Sequence, residues 1–175
     1  MITDGQRNTA QRFIALLSEK EGSSYSVRDG PDPPDFLLNS ISRTSWLEVT
    51  DIYMSEAQAK FVNCREEKTF EFSGTGDETA VRLINQLNRK LANSNYAQIF
   101  RQRGQGILLL TCCDFVFDEV NLARVEQCLA GFTPIDNLGY FSIAYFEYRL
   151  PSGYRFYGEV YPGRELPTSP LIRHG

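Results

Sequence analysis

The stretch that decides the fold is Pro34-Asp35-Phe36-Leu37-Leu38, followed along the chain by Trp46-Leu47-Glu48-Val49-Thr50. Both are short apolar runs bounded by polar residues, a pattern typical of buried strands. Each run carries one acid, Asp35 in the first and Glu48 in the second. A buried carboxylate without a partner is costly, so such an acid normally pairs with a cation, shifts its pKa or binds a metal. The two runs therefore predict a pair of strands that carries a charged site.

The spacing of the two runs predicts how the acids face each other. In an antiparallel hairpin folded about Ile41 and Ser42, Asp35 lies opposite Glu48. Directly opposed residues have Cβ atoms roughly 4.5–5.5 Å apart, which lets two carboxylates share one divalent ion. Because side chains alternate along a strand, both acids fall on one face of the sheet. The other face receives four apolar side chains, Phe36, Leu38, Leu47 and Val49.

Length and composition predict a globular protein. The chain has 175 residues, which predicts a single domain over residues 1–175 with a full hydrophobic core. Hydrophobic residues make up 42% of the chain, which favours a globular fold over disorder. No apolar run approaches the roughly 20 residues that span a bilayer, and the polar N-terminus lacks a signal-peptide core. We therefore expect no membrane partner and a cytoplasmic location.

The cysteines and the histidine exclude several kinds of site. Cys112 and Cys113 are adjacent, Cys64 and Cys128 stand alone, and the sequence has no C-x-x-C. The only histidine is His174, next to the C-terminal residue. A zinc site is excluded on this spacing. A mechanism that needs a histidine base, such as Ser-His-Asp or Cys-His, is excluded as well.

Hydrophobic periodicity predicts the order helix, three strands, helix, strand, helix, β-hairpin, which fits an α/β fold with a mixed sheet and helices on its faces. The predicted helices cover residues 7–20, 78–96 and 118–130, the last with Val120 in its apolar stripe. The predicted strands cover residues 24–28, 35–39, 45–50, 104–113, 139–149 and 153–161. Residues 55–62 are expected to form a helical turn or a loop, and residues 69–72 a short extended piece.

Charge bears on nucleic-acid binding. The net charge of −4 argues against a protein that coats nucleic acid non-specifically. One stretch of 22 residues nevertheless carries five basic residues and no acid, namely Arg82, Arg89, Lys90, Arg101 and Arg103. This stretch is either a phosphate-contacting surface or ordinary surface charge.

In its two acids and its element order, the chain resembles the PD-(D/E)XK nuclease superfamily. That family has a restriction-endonuclease-like core of helix, three strands, helix and strand. Its site takes an Asp from the start of the second strand, and a Glu or Asp followed two residues later by a Lys from the third. Here Asp35 in Pro34-Asp35 matches the first acid and Glu48 the second. The resemblance covers about residues 7–113, which leaves an extension over 114–161 and a loose tail over 162–175.

The position of the family lysine is Thr50 in this chain. That lysine is thought to position the attacking water and to offset developing negative charge, which a threonine hydroxyl cannot do. Some family members take a substitute lysine or glutamine from elsewhere, commonly from the following helix. Lys90 and Gln86 are the candidates here, and Lys60 is a weaker one. The alternative is that Lys90 and Gln86 are a solvated helix flank.

The resemblance implies a nuclease that hydrolyses phosphodiester bonds in DNA. Asp35 and Glu48 would hold Mg²⁺ or Mn²⁺, and Gln86 or Lys90 would lie near the attacked phosphate. Mg²⁺ takes oxygen ligands and is often held by one or two carboxylates together with substrate phosphate. Asp51 points to the opposite face by alternation and is a weaker ligand candidate.

Two alternatives stay open from the sequence. In the first, the chain keeps the nuclease fold without catalysis and serves binding or assembly, with its C-terminal hairpin as a contact for a partner or a second copy. In the second, Asp35 caps the turn after the prolines, and Glu48 pairs with an arginine such as Arg43 or Arg82. A small-molecule enzyme on another α/β fold has no supporting motif in the sequence.

Overall fold

The computed structural model describes residues 2–53 and 76–163. Residues 55–62 and 69–72, Lys60 and the tail over 164–175 lie outside the described residues, so the expectations for them stay predictions. None of the helices in the described ranges is long and apolar enough to cross a membrane. The helices are α1 (Asp4–Glu21), α2 (Gly76–Leu91), α3 (Ala97–Arg103) and α4 (Glu119–Ala130). The strands are β1 (Ser26–Asp29), β2 (Phe36–Asn39), β3 (Thr44–Asp51), β4 (Gly106–Val116), β5 (Phe141–Arg149) and β6 (Arg155–Tyr161).

The six strands form one open mixed sheet in the order β1-β2-β3-β4-β5-β6. β1, β2 and β3 are antiparallel neighbours, β3, β4 and β5 run parallel, and β6 returns antiparallel to β5. Helices connect the parallel strands, as such crossovers require. The predicted α/β class with a mixed sheet is confirmed.

The sheet is buried on both faces. On one face, α1 packs Phe13, Ile14 and Leu17 against the four apolar side chains predicted to share that face. On the opposite face, α2 and α4 bury residues such as Leu83 and Leu122 against the sheet. In β4, Ile107 and Leu109 join the first cluster, while Leu108 and Leu110 join the second. The prediction of a central strand buried on both faces is therefore confirmed.

The first helix begins three residues before its predicted start at residue 7. The side chain of Thr3 accepts a hydrogen bond from the Gln6 amide, and the side chain of Gln6 accepts one from the Thr3 amide. This reciprocal pair is a capping box, which satisfies backbone donors that a helix start leaves open.

The helix predicted over residues 78–96 is shorter and ends at Leu91. The side chain of Asn93 accepts a hydrogen bond from the Asn95 amide and starts a 3₁₀ turn over Ser94–Tyr96, which leads into α3. Helical periodicity does not predict this break. Its consequence is that Tyr96 turns into the core, where it is 1% exposed.

The apolar stripe predicted for α4 is wrong at Val120, which is 72% exposed. The buried residues of this helix are Leu122, Val125 and Leu129. Val120 precedes Leu122 by two residues, a rotation of about 200° in a helix of 3.6 residues per turn. It therefore lies on the opposite side of α4.

The C-terminal hairpin is confirmed. β5 and β6 pair antiparallel about the turn at Pro151-Ser152-Gly153. In that turn the Gly153 amide donates to the Leu150 carbonyl at 2.9 Å. Gly153 has a φ of 82°, which glycine adopts without steric cost.

Trp46 packs in the hydrophobic core on the same face of the sheet as the two acids. It is fully buried, and its indole Nε1 donates to the Gly104 carbonyl at 2.9 Å. Its ring stacks on Tyr96 with centroids 5.4 Å apart and touches Phe141 at 4.9 Å. Gly106 leaves room for this ring, because a Cβ there would lie 2.3 Å from its atoms.

We expect Gly106→Ala to lower the free energy of unfolding by about 1–3 kcal/mol, since overpacking a filled core forces neighbours to move. Gly131→Ala is the matched control, because a Cβ there meets no heavy atom closer than 3.9 Å. The control should change stability by about 0.5 kcal/mol or less. Urea denaturation followed by Trp46 fluorescence measures both. Equal midpoints for the two variants would contradict the expectation.

Candidate functional site

Asp35 and Glu48 lie at the open end of the hairpin that β2 and β3 form. The paired residues of β2 and β3 run from Asn39 with Thr44 to Phe36 with Leu47. The same register, continued by one residue, places Asp35 opposite Glu48. The two residues are 9% and 7% exposed.

Asp35 is bound to the neighbouring strand. Its Oδ2 accepts a hydrogen bond from the Val49 amide at 2.9 Å. The turn after the prolines is closed instead by backbone, because the Gly30 amide donates to the Asp35 carbonyl at 2.7 Å. The alternative in which the Asp35 side chain caps that turn is therefore wrong.

Glu48 is paired with a lysine. Its Oε1 accepts from Lys90 Nζ at 2.5 Å, and its Oε2 is buried with no hydrogen-bond partner among the described residues. The predicted arginine partners are engaged elsewhere. Arg43 lies 3.8 Å from Glu21, and Arg82 donates to the Tyr53 carbonyl at 3.2 Å. The alternative of an arginine partner for Glu48 is wrong.

Lys90 lies inside the protein, so the description of a solvated flank does not hold for it. Its side chain is 13% exposed, and Nζ also donates to Tyr96 Oη at 3.2 Å. Burial and the nearby charge of Glu48 raise the pKa of Tyr96, which keeps its phenol neutral. The ammonium is thus held between a carboxylate and a neutral phenol.

Gln86 lies one helical turn before Lys90 and contacts the next inward-facing residue of β3. Its Nε2 donates to Thr50 Oγ1 at 3.1 Å. We call the three contacts between α2 and the chain along β3 the polar seam: Arg82 with Tyr53, Gln86 with Thr50, and Lys90 with Glu48.

The repeat lengths of helix and strand explain two contacts of the polar seam, Gln86 with Thr50 and Lys90 with Glu48. Four residues of helix rise about 6.0 Å, and two residues of strand advance about 6.6–6.8 Å. α2 runs antiparallel to β3, so successive turns of the helix meet successive inward-facing residues of the strand. This match brings Gln86 to Thr50 and Lys90 to Glu48.

An open cleft of about 590 Å³ lies at the end of β3, along the polar seam. The residues that line it include Thr50, Tyr53, Arg82, Asn85, Gln86 and Arg89. Two seam contacts, Arg82 with Tyr53 and Gln86 with Thr50, therefore lie in the cleft, and the second of them is next to the contact of Lys90 with Glu48.

Asp51 also lines the cleft. Its carboxylate accepts from Thr111 Oγ1 at 2.5 Å and from Tyr53 Oη at 3.4 Å. Since Thr50 faces α2, alternation puts Asp51 on the opposite face, as the sequence predicts. Its side chain is thus directed away from the Asp35–Glu48 pair.

The basic stretch does not form one surface. Arg82 and Arg89 line the cleft, and Lys90 is buried against Glu48. Arg103 donates to Asn39 Oδ1 at 3.0 Å, at the hairpin end of β3 far from the cleft. Arg101 bonds within its own helix, to the Ala97 carbonyl. Of the five basic residues predicted to form one phosphate-contacting surface, Arg82 and Arg89 are the two that lie together in the cleft.

Tyr96 is a site residue that the sequence pattern does not predict. Tyr96 reaches Lys90 because the chain breaks at Asn93 and turns back over the sheet. The available signal was Asn93-Ser94-Asn95, a cluster of residues that favour caps and turns.

The described residues contain no group of three or more His, Cys, Asp or Glu side chains arranged to hold a metal. The arrangement offers two carboxylates, Asp35 and Glu48. Two carboxylates suffice for Mg²⁺ when waters and a substrate phosphate complete its shell.

The ionised form of Asp35 is destabilised in the folded protein. Burial, together with the negative charge of Glu48, raises its pKa from 3.8 to about 6. In the unfolded chain the carboxyl ionises near its ordinary pKa, so the folded protein binds the proton more tightly. Stability from this group is therefore full below pH 4 and is lost as the pH rises through about 6.

We expect Asp35→Asn to raise the free energy of unfolding at pH 7, in buffer with chelator, by about 1–3 kcal/mol. Asparagine has the same shape, can accept from the Val49 amide and carries no charge. The gain should vanish below pH 4, and urea denaturation at several pH values measures it.

Asp29→Asn is the control for this experiment. Arg7 holds the pKa of the exposed Asp29 below its ordinary value, so this variant should not gain stability at neutral pH. A loss of stability in Asp35→Asn at pH 7 would contradict the electrostatic interpretation.

No protein-family model matches the sequence, and neither a curated protein nor a solved structure matches the chain. The function must be inferred from the chain's own geometry. That geometry is a buried pair of carboxylates with one lysine, beside an open cleft with two arginines.

Proposed function

We propose that this protein is a nuclease of the PD-(D/E)XK type that hydrolyses phosphodiester bonds in DNA with Mg²⁺ or Mn²⁺. The observation that carries the proposal is the placement of Asp35 opposite Glu48, with Lys90 at 2.5 Å from Glu48. The order of α1, three strands, α2 with the short α3, and β4 in the described residues supports it. So does the position of Gln86 at Thr50, where the family motif has its lysine.

The two carboxylates fit a divalent ion. Asp35, Glu48 and Lys90 carry a combined charge of −1 when all three are ionised, and Glu48 Oε2 has no partner among the described residues. A buried acceptor without a partner is unfavourable, and a cation would satisfy it. Asp35 and Glu48 would hold the ion. When bound, Mg²⁺ would stabilise negative charge on phosphoryl oxygens as a Lewis acid.

The remaining residues would position the phosphate. Lys90 Nζ lies at the pair and would supply positive charge there, the role that the family gives to a lysine at the position of Thr50. The Thr50 hydroxyl and the Gln86 amide lie in the cleft next to the pair, so they would contact a phosphate that enters from the cleft. Fixed donors of this kind stabilise charge that develops in the transition state.

The proposal is tested with plasmid and single-stranded DNA in Mg²⁺ or Mn²⁺. We expect cleavage by the unchanged protein, loss of cleavage in chelator, and loss in Asp35→Asn. Asp29→Asn, at an exposed site, should cleave like the unchanged protein. Absence of cleavage with either ion, in protein that circular dichroism shows to be folded, would contradict the proposal.

One observation favours a second candidate, a non-catalytic module with the same fold. Lys90 already neutralises Glu48 without an ion, so the pair can persist as an internal ion pair. The C-terminal hairpin would then serve assembly, since β6 lies at an edge of the sheet and offers its backbone to a second copy. The same assay separates the two candidates, because the module should cleave no substrate.

A further inference from the structure

The cleft at the end of β3 is an open surface feature that Asp35 and Glu48 do not line. It shares two contacts with the polar seam, Arg82 with Tyr53 and Gln86 with Thr50, and it has a volume of about 590 Å³. Clefts that bind small-molecule ligands are roughly 300–1,000 Å³ in volume. A ligand in this cleft would lie against the contact of Gln86 with Thr50, which is next to that of Lys90 with Glu48.

The charged residues that line the cleft are Arg82, Arg89 and Asp51, and the carboxylate of Asp51 already accepts hydrogen bonds from Thr111 and Tyr53. Arg82 and Arg89 are seven residues apart on α2, which is two helical turns, so they project on the same side. Both are exposed, and among the described residues neither forms an ion pair with a carboxylate. Arg82 is held in place by the Tyr53 carbonyl at 3.2 Å. Exposed and positioned guanidinium groups are the usual contacts for phosphate.

The other residues that line the cleft suit single-stranded DNA. Ile52 and Tyr53 line it together with Asn85, and aromatic side chains beside basic ones are typical of single-strand binding sites. A protein that contacts roughly 6–10 phosphates of a duplex neutralises them with Lys and Arg side chains. Here the basic stretch is divided between two ends of β3, and the chain has a net charge of −4.

We infer that the cleft binds one unpaired strand of DNA, with Arg82 and Arg89 contacting its phosphates. The bound DNA would then continue past Gln86 and Thr50, so that its next phosphate reaches the Asp35–Glu48 pair. This inference rests on the proposed function and adds the substrate class, an unpaired strand rather than an intact duplex.

The test is binding of a fluorescent single-stranded DNA octamer, followed by anisotropy in chelator so that no cleavage occurs. We expect Arg82→Gln and Arg89→Gln each to weaken binding about 5–10-fold. Each should also make the affinity less dependent on salt. The slope of log binding constant against log salt concentration should become shallower by about 0.7 for every single-strand phosphate that the variant leaves unneutralised. Arg101→Gln is the matched control and should bind unchanged, because Arg101 bonds its own helix. The same sequence as a duplex should bind more weakly than the single strand.

Each outcome bears on the inference separately from the nuclease proposal. The inference would be overturned, even in a protein that cleaves DNA, if the duplex bound more tightly than the single strand. It would also be overturned if Arg82→Gln and Arg89→Gln bound the single strand as tightly as Arg101→Gln does. Binding that depends on Arg82 and Arg89 in a protein that cleaves nothing would uphold the inference and contradict the nuclease.

Discussion

Glu48→Gln is expected to abolish ion-dependent cleavage and also to destabilise the protein by about 3 kcal/mol, the low end of the cost of breaking a buried ion pair. The variant leaves the ammonium of Lys90 without the carboxylate that lies 2.5 Å from it. The cost is at the low end because Asp35 still supplies negative charge to the same space. Urea denaturation at pH 7 measures the stability, and a plasmid assay with Mn²⁺ measures the cleavage.

The contrast with Asp35→Asn makes this prediction specific. Both variants remove one carboxylate from the pair, yet Asp35→Asn should stabilise the protein and Glu48→Gln should weaken it. The difference follows from Lys90, which contacts Glu48 directly, whereas Asp35 binds a neutral backbone amide. Equal changes of stability in the two variants would contradict the assignment of Lys90 to Glu48.

Lys90→Met is expected to have the second large effect. It leaves two buried carboxylates facing each other without a cation, at a cost of about 3–5 kcal/mol. Cleavage should fall by about 10²–10³-fold, the range for losing one fixed group that stabilises transition-state charge. Methionine fills similar space, so the loss reports the missing charge and not a cavity.

Divalent ion should partly rescue the stability of Lys90→Met. An ion that binds only the folded state stabilises it by about 2.7 kcal/mol at a concentration 100 times its Kd. Thermal unfolding with and without Mn²⁺ measures this gain. Lys20→Met is the control, since Lys20 lies over Tyr145 at the surface and should cost about 1 kcal/mol or less. If Mn²⁺ does not raise the melting temperature of Lys90→Met, the pair does not hold the ion.

The register of the first hairpin was predictable because strand geometry has a period of two. Asp35 and Glu48 each sit beside residues that must face α1, so any shift by one would have turned Leu47 and Val49 away from that core. The class of the fold followed from the order of periodic segments in the same way. These features depend on residues close together in sequence.

The partners of the acids depend on contacts between distant segments, and the sequence left them open. Lys90 is 42 residues from Glu48, and only the packing of α2 over β3 decides between it and Arg43 or Arg82. That packing fixes Gln86 against Thr50 as well. The turn at Asn93 decides that Tyr96 joins the site, and a helix extended to residue 96 would have carried it away. Periodicity predicts which residues are buried, but it does not say which buried residues touch.

The most direct test of the site is Mn²⁺ binding to the metal-free protein, measured by calorimetry and by electron paramagnetic resonance of the free ion. It needs no knowledge of the substrate. We predict binding by the unchanged protein that is lost in Asp35→Asn and in Glu48→Gln but kept in Asp29→Asn. Absence of binding in the folded protein, or binding that survives both substitutions in the pair, would contradict a metal site at Asp35 and Glu48.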